Sequence, residues 1–415
     1  MVCRVGKRRL VTLSQGVGVL PSNNEVGALG DSITAANVGV TVGTLAQRDA
    51  RGFGSWAAAL CGQRVVFPAA NSKGVSGNTS AQMLARIADV TSLSAGTITV
   101  LAGTNDAGAS VSLATYQSNI EAIIAGLRAA GKIVILVIPP PRDDITGGLT
   151  AGQVALLISY RDWLRTRARP AQGVYLADAW NDIAAVTDGA TAKAGYLRGD
   201  GIHPTVTGSW WLGYRVAQVL KRLIVARDPW DFDGASLCVN AALAGTTGTK
   251  GTGWTGSVAT SWGGASETLT GDQAVTVTKV TVDGIERQRI AITGTFGSVF
   301  NPSFSQTLAG WGTTYNVGDI MSMAVNYEII QGGASLKNVF AGIVYKSGTV
   351  VSDLINSSTE QVPSDQNFSA LTRVYRFTQP ADATRLTPQF GVSLAAGTHN
   401  LIVDFWHPHL IKHAS

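Results

Sequence analysis

TITVLAGTND (97–106), YQSNIEAIIAGLRAAG (116–131) and KIVILVIPPP (132–141) decide the fold of this chain. The first and last are mostly apolar runs of strand length. The middle segment repeats apolar residues every three to four positions and closes on Gly131, as a helix does. A strand, a helix and a second strand, the last a continuous apolar run, describe a parallel sheet buried on both faces. The pattern extends in both directions. EVGALGDS (25–32), RVVFPAAN (64–71) and GVYLADAW (173–180) read as further strands. FGSWAAALCG (53–62), SAQMLARIADV (80–90), GQVALLISYRDWLRTRA (152–168) and TGSWWLGYRVAQVLKRLIVA (207–226) read as helices. The expectation is five parallel strands with helices on both faces, over about residues 25–228.

Near RDPWDFDGA (227–235) the helical period stops. Alternating segments take over, among them QAVTVTKVTVDG (273–284), RQRIAITGTF (287–296), IMSMAVNYEII (320–330), VFAGIVYK (339–346) and NLIVDFW (400–406). Short strands separated by Gly, Asn and Asp turns predict an all-β sandwich over 229–415. Residues 1–24 start basic, and their apolar stretch is interrupted by Ser14, Gln15 and glycines. They read as an arm leading to the first strand rather than as a signal peptide.

The length of 415 residues suits two domains, and 45% hydrophobic content rules out wholesale disorder. The net charge of +5 divides unevenly, with 22 basic against 14 acidic residues in 1–230 and 10 against 13 in 231–415. The excess is diffuse, and RDWLRTRAR (161–169) reads as a solvated helix face, so a nucleic-acid stripe is not indicated. No apolar stretch reaches 18 residues unbroken, so a spanning helix is not expected. Cys3, Cys61 and Cys238 are odd in number and far apart, which fits neither a disulfide framework nor a metal site.

His203 is the only histidine in the first 398 residues, and it follows the last predicted strand in GDGIHP. Open α/β sheets place their sites at that carboxyl end. Asp200, three residues earlier, can fix the imidazole tautomer and stabilise its charged form, or simply cap the next helix. Ser32, in ALGDSIT, sits at a strand-to-helix turn and reads as a nucleophile or as a helix cap. No G-x-S-x-G elbow occurs, which disfavours an ordinary α/β-hydrolase. Gly77 and Asn105 lie in loops after strands. Each can donate to an oxyanion or serve only as a turn residue.

Taken together, these blocks resemble the SGNH or GDSL serine hydrolases over roughly 25–226. The blocks are Gly30-Asp31-Ser32-Ile33, Gly74-Val75-Ser76-Gly77-Asn78-Thr79, Gly103-Thr104-Asn105-Asp106 and Asp200-Gly201-Ile202-His203-Pro204. The resemblance implies a flavodoxin-like three-layer α/β/α fold. It also implies a catalytic triad of Ser32, His203 and Asp200, and an oxyanion hole of Ser32 N–H, Gly77 N–H and Asn105. No metal or cofactor is implied. Asp31 and Asp106 read as loop braces. The segment 301–319 and the closing strand NLIVDFWHPHL (400–410) loosely resemble jelly-roll carbohydrate-binding modules.

On that resemblance Trp254, Trp262, Trp311 and Trp406 are candidate sugar platforms, or core residues, and Asp404 is a candidate calcium ligand. His407-Pro408-His409 suggests a strand end rather than a zinc pair, because Pro interrupts a ladder. The expected substrate is an acylated carbohydrate or a small ester, with acetyl the expected acyl group. A short-chain esterase or lipase, and a phage tail or adhesin component, are the alternatives. An extracellular or virion setting is favoured over the cytoplasm, and monomer or trimer stays open.

Overall fold

A computed structural model describes residues 20–413 apart from 43–44, 63–64, 144–145, 147, 187–188, 225–234, 267, 333–335, 347–348, 353, 356–359, 361 and 364–365. Most of the arm, Cys3 and the composition change at 227–234 lie outside the described residues.

Five parallel strands form the first sheet: β1 (Val26–Gly30), β2 (Ser72–Gly74), β3 (Thr97–Leu101), β4 (Ile133–Val137) and β5 (Val174–Ala177). Their order is β2-β1-β3-β4-β5, the flavodoxin-like arrangement, which reverses beside β1. Successive residues face opposite layers. Val26, Ala28, Ile133, Ile135 and Val137 join a core with the helices Phe53–Leu60 and Val206–Leu223. Leu29, Ile98, Val100, Val134 and Leu136 join another with Leu113–Ala129 and Ala151–Arg165. Local chemistry sets the helix ends. Ser112 Oγ accepts from Thr115 N–H, and Thr150 and Gln153 form a reciprocal capping box.

One expected strand is displaced. RVVFPAAN makes only an isolated bridge at Val66, and a 3₁₀ turn follows at Ala69–Asn71. Pro68, which offers no N–H, precedes that turn, and the ladder forms instead at Ser72–Gly74. SAQMLARIADV is likewise two short helices, Ser80–Ala85 and Ala88–Thr91.

The C-terminal half folds as two packed, mainly antiparallel sheets. One runs Phe368–Thr378, Ile320–Gln331, Gly397–Lys412, Ile285–Phe296, Ala274–Val282, Thr255–Gly256. The other runs Thr349–Ser352, Leu336–Lys346, Thr387–Leu394, Ser303–Ser305, Gly263–Ala265. Phe390 of the second sheet meets Phe405 of the first at a ring separation of 5.1 Å, which marks the inner layer. The final strand continues through Pro408, where an edge or a strand end was expected. His407 takes a positive φ of 49°, and the register against Ile320–Gln331 shifts between Ala324 and Asn326. A bulge therefore absorbs a proline inside a central strand.

The two halves are stitched together. Leu354–Ile355 adds a parallel strand to Leu45–Asp49, which itself pairs with Val38–Val42. Phe368 packs against Trp56 and Trp210 at ring separations of 6.1 and 5.4 Å, and Arg373 donates to Val65 O.

Candidate active site

β1 ends at Gly30, and the chain turns at once into the short helix Ser32–Ala35. Asp31 caps it, its Oδ1 accepting from Ile33 N–H at 2.9 Å. Ser32 is the first residue of the turn, so its N–H has no carbonyl behind it to bond. Neighbouring atoms come very close here. A Cβ on Gly30 would stand 2.0 Å from Thr34 Oγ1, and one on Gly74 would stand 2.0 Å from Ala35 N. Only glycine permits β1 and β2 to hold the Ser32 turn this tightly.

Three predicted residues meet. Ser32 Oγ lies 2.8 Å from His203 Nε2, and His203 Nδ1 lies 2.8 Å from Asp200 Oδ2. The other Asp200 oxygen accepts from the N–H groups of Ile202 and His203, both at 2.9 Å. Partial burial pushes the Asp200 carboxyl up. The bonds from the His203 backbone, the His203 ring and Ile202 outweigh it and bring the carboxyl below its ordinary range. The loop folds on itself, with Arg198 N–H donating to His203 O at 2.8 Å. A hydroxyl bonded to an imidazole that a carboxylate orients is equipped for proton removal and nucleophilic attack.

Gly77 and Asn105 lie on neighbouring loops. Gly77 adopts φ +80°, a conformation glycine takes without strain, and open space surrounds its missing Cβ. Asn105, in the helix Thr104–Gly108, donates its amide to Asn78 O at 3.1 Å and reaches Asp31 Oδ2 at 3.4 Å. The second contact is long and yields readily to a stronger acceptor. Asp106 braces the adjoining loop. Both of its oxygens accept from Ser80 N–H at 3.0 Å, and Ser80 Oγ donates to it as well. Asp31 is fully buried, and burial raises its carboxyl to about 7. The Ile33 N–H bond opposes that rise, and the Asp106 charge adds to it.

Ser32 and His203 open onto a cleft of about 440 Å³, also lined by Val38, Asp49, Arg51, Ser76 and Arg198. Asp49, Arg51 and Arg198 were not singled out in the sequence, because isolated charges carry no pattern. Arg86 was missed too. Its guanidinium binds Gly30 O, Lys73 O and Asn78 Oδ1, tying the Ser32 strand to the Gly77 loop. The sequence hid it inside an apparent amphipathic helix.

The C-terminal candidates separate. Trp254 and Trp262 are buried, with ring contacts to Phe304 and Phe390, and are core residues rather than platforms. Trp311 and Trp406 stay partly exposed, and Arg287 lies over the Trp406 ring at 4.2 Å. Asp404 is fully buried, and both its oxygens take Arg289, at 2.7 and 2.9 Å. That pairing occupies the carboxylate weighed as a calcium ligand. No three His, Cys, Asp or Glu side chains gather for a metal ion among the described residues.

Residues 28–211 match the model of the GDSL-like Lipase/Acylhydrolase family. No curated protein matches the chain. Among solved structures, a putative lipolytic protein of the G-D-S-L family from Desulfitobacterium hafniense is 22% identical. It covers 48% of this chain and 99% of its own, with a TM-score of 0.37. A lipase/acylhydrolase from Enterococcus faecalis is 20% identical over 49% and 99%, at 0.37. A variant of Axe2, an acetyl xylan esterase from Geobacillus stearothermophilus, is 18% identical over 50% and 99%, at 0.38.

Proposed function

We propose that this protein, whose residues 28–211 match the GDSL-like lipase/acylhydrolase family, is a serine esterase that removes short acyl groups, acetyl above all, from a carbohydrate. The observation that carries the reading is the unbroken series Ser32 Oγ, His203 Nε2, His203 Nδ1, Asp200 Oδ2, each contact 2.8 Å, at the mouth of a cleft. In the first half-reaction His203 Nε2 takes the Ser32 proton as Oγ bonds to the ester carbonyl carbon. The carbonyl electron pair moves to oxygen, where Ser32 N–H, Gly77 N–H and the Asn105 amide receive it. Asn105 releases its long contact to Asp31 to do so. Collapse of the adduct breaks the bond to the alcohol, which leaves with the proton from His203. Water then repeats the sequence on the acyl-enzyme, His203 taking its proton and returning it to Ser32. Asp200 holds the imidazole tautomer and its positive charge throughout. Each oxyanion donor contributes roughly 3 kcal/mol of transition-state stabilisation.

The cleft supports a hydroxylated alcohol portion. Asp49, Arg51, Ser76 and Arg198 set polar groups around Ser32, matching the donors and acceptors of a sugar better than an alkyl chain. We read the C-terminal sandwich as jelly-roll-like. Its Trp311 is the candidate aromatic face still partly open to stack on a glycan, whereas Arg287 already covers one face of Trp406.

Hydrolysis of p-nitrophenyl esters from acetate to long chains, by wild type and Ser32→Ala side by side, tests the reading. Activity that depends on Ser32, falls beyond acetate and extends to acetylated xylan is the expected result. Rates that rise with chain length replace the carbohydrate esterase with a lipase. Ester turnover retained by Ser32→Ala refutes the assignment of the nucleophile.

A further inference from the structure

We propose that Glu360, which comes from the C-terminal sandwich, is a positioning residue for the loop that carries Asp200 and His203. For its catalytic readout the proposal rests on the esterase reading above. The loop lies between Arg198 and Val206. It is closed internally by Arg198 N–H to His203 O, by Gly201 N–H to Arg198 O at 2.9 Å, and by a bridge between Leu197 and Pro204. One carboxylate grips both of its ends. Glu360 Oε2 accepts from Val206 N–H at 2.7 Å, and Glu360 Oε1 lies 3.5 Å from Arg198 Nε.

Val206 opens the helix Val206–Leu223, whose first turn holds no acidic residue of its own. Its exposed N–H groups carry the positive end of the helix dipole, and Glu360 supplies the anion they favour. Thr205 Oγ1 already accepts from Gly208 N–H and donates to Gly195 O, so the local cap leaves Val206 N–H to the carboxylate from the other half of the chain. Arg198 also lines the cleft, so the same grip orients a guanidinium beside Ser32. The sandwich thereby becomes part of the hydrolytic apparatus. The clamp acts on the base and its orienter through the Val206 backbone on one side and the Arg198 side chain on the other, and Glu360 itself lines no part of the cleft.

The test uses the full chain carrying Glu360→Ala or Glu360→Gln. Hydrogen exchange of peptides spanning 198–206 is measured together with kcat and KM on p-nitrophenyl acetate. In Glu360→Ala the loop exchanges faster, kcat falls about 10- to 100-fold as the imidazole loses its alignment, and KM stays within about twofold. Glu360→Gln recovers most of both, because its amide oxygen still accepts from Val206 N–H. If Glu360→Ala fails to fold, Glu360→Asp keeps the charge and, one methylene shorter, reaches a single partner. It then shows the same exchange change at smaller size. Unchanged exchange at 198–206 in Glu360→Ala overturns the clamp, as does Glu360→Gln performing no better than Glu360→Ala. A wild type that turns over no ester refutes the esterase reading instead, and the exchange data still decide the clamp.

Discussion

Replacing Gly74 with alanine would place the new Cβ 2.0 Å from Ala35 N, and 2.5 Å from both Ala35 Cα and Thr34 C. All three are backbone atoms, so no rotamer change relieves the contact. Opening 2.0 Å to the 3.4 Å of ordinary contact requires about 1.4 Å of separation between β2 and the turn Ser32–Ala35. The ladder between β1 and β2 resists that movement. Gly74 pairs with Gly30 in register, and Val75 N–H donates to Gly30 O at 3.0 Å. Arg86 bridges the same two segments through Gly30 O and Lys73 O. The strain therefore moves Ser32 relative to the Gly77 loop, the distance on which the proposed oxyanion hole depends. Misplacement on the scale of 1 Å costs on the order of 100-fold in rate, and overpacking of this kind costs about 1–3 kcal/mol of stability. The assay pairs kcat on p-nitrophenyl acetate with urea denaturation of Gly74→Ala. The expected result is a loss of about 100-fold in kcat from a protein that still folds. A variant within twofold of wild type would falsify the argument that this contact sets the distance between nucleophile and oxyanion donors.

Two further outcomes follow from buried charge. Asp31 keeps its proton to about pH 7 in the folded chain, against 3.8 when unfolded. Between those values the unfolded state binds fewer protons, so stability falls as pH rises from about 4 to about 7 and then levels off, by at most roughly 4 kcal/mol. Urea titrations at stepped pH should show this slope, and Asp31→Asn should flatten it; an equal slope in the variant contradicts the assignment. Arg289→Met leaves Asp404 buried without its partner and should cost about 3 kcal/mol. The double variant Arg289→Met/Asp404→Leu should recover most of that loss in thermal melts, and a loss equal to or larger than that of Arg289→Met alone would contradict the account.

The sequence foretold the parallel sheet most plainly where a strand is a continuous apolar run, as at 133–137, because burial on both faces favours that pattern. It also brought out Ser32, Asp200 and His203, since a single histidine in the first 398 residues narrows the search for a base. The edge strand was misplaced because apolar content at RVVFPAAN outweighs the three residues Ser72–Gly74 that form the ladder. Trp254 and Trp262 were legible as either platforms or core, because strand alternation does not reveal which face meets the second sheet. The clamp by Glu360 and the strand Leu354–Ile355 were invisible. Two residues leave no periodicity, and a contact between positions 206 and 360 has no local signature.

The parallel pairing of Leu354–Ile355 with Arg48–Asp49 also bears on synthesis. The hairpin that walls the cleft leaves the ribosome about 300 residues before the strand that covers its edge. At roughly 5–20 residues per second that interval is on the order of 15–60 s. Throughout it the nascent chain carries an open β edge, the kind of surface that invites pairing with another chain. Completion of the N-terminal half therefore waits on a segment about 300 residues downstream. Premature termination before residue 354 would release a chain prone to aggregate rather than a small esterase.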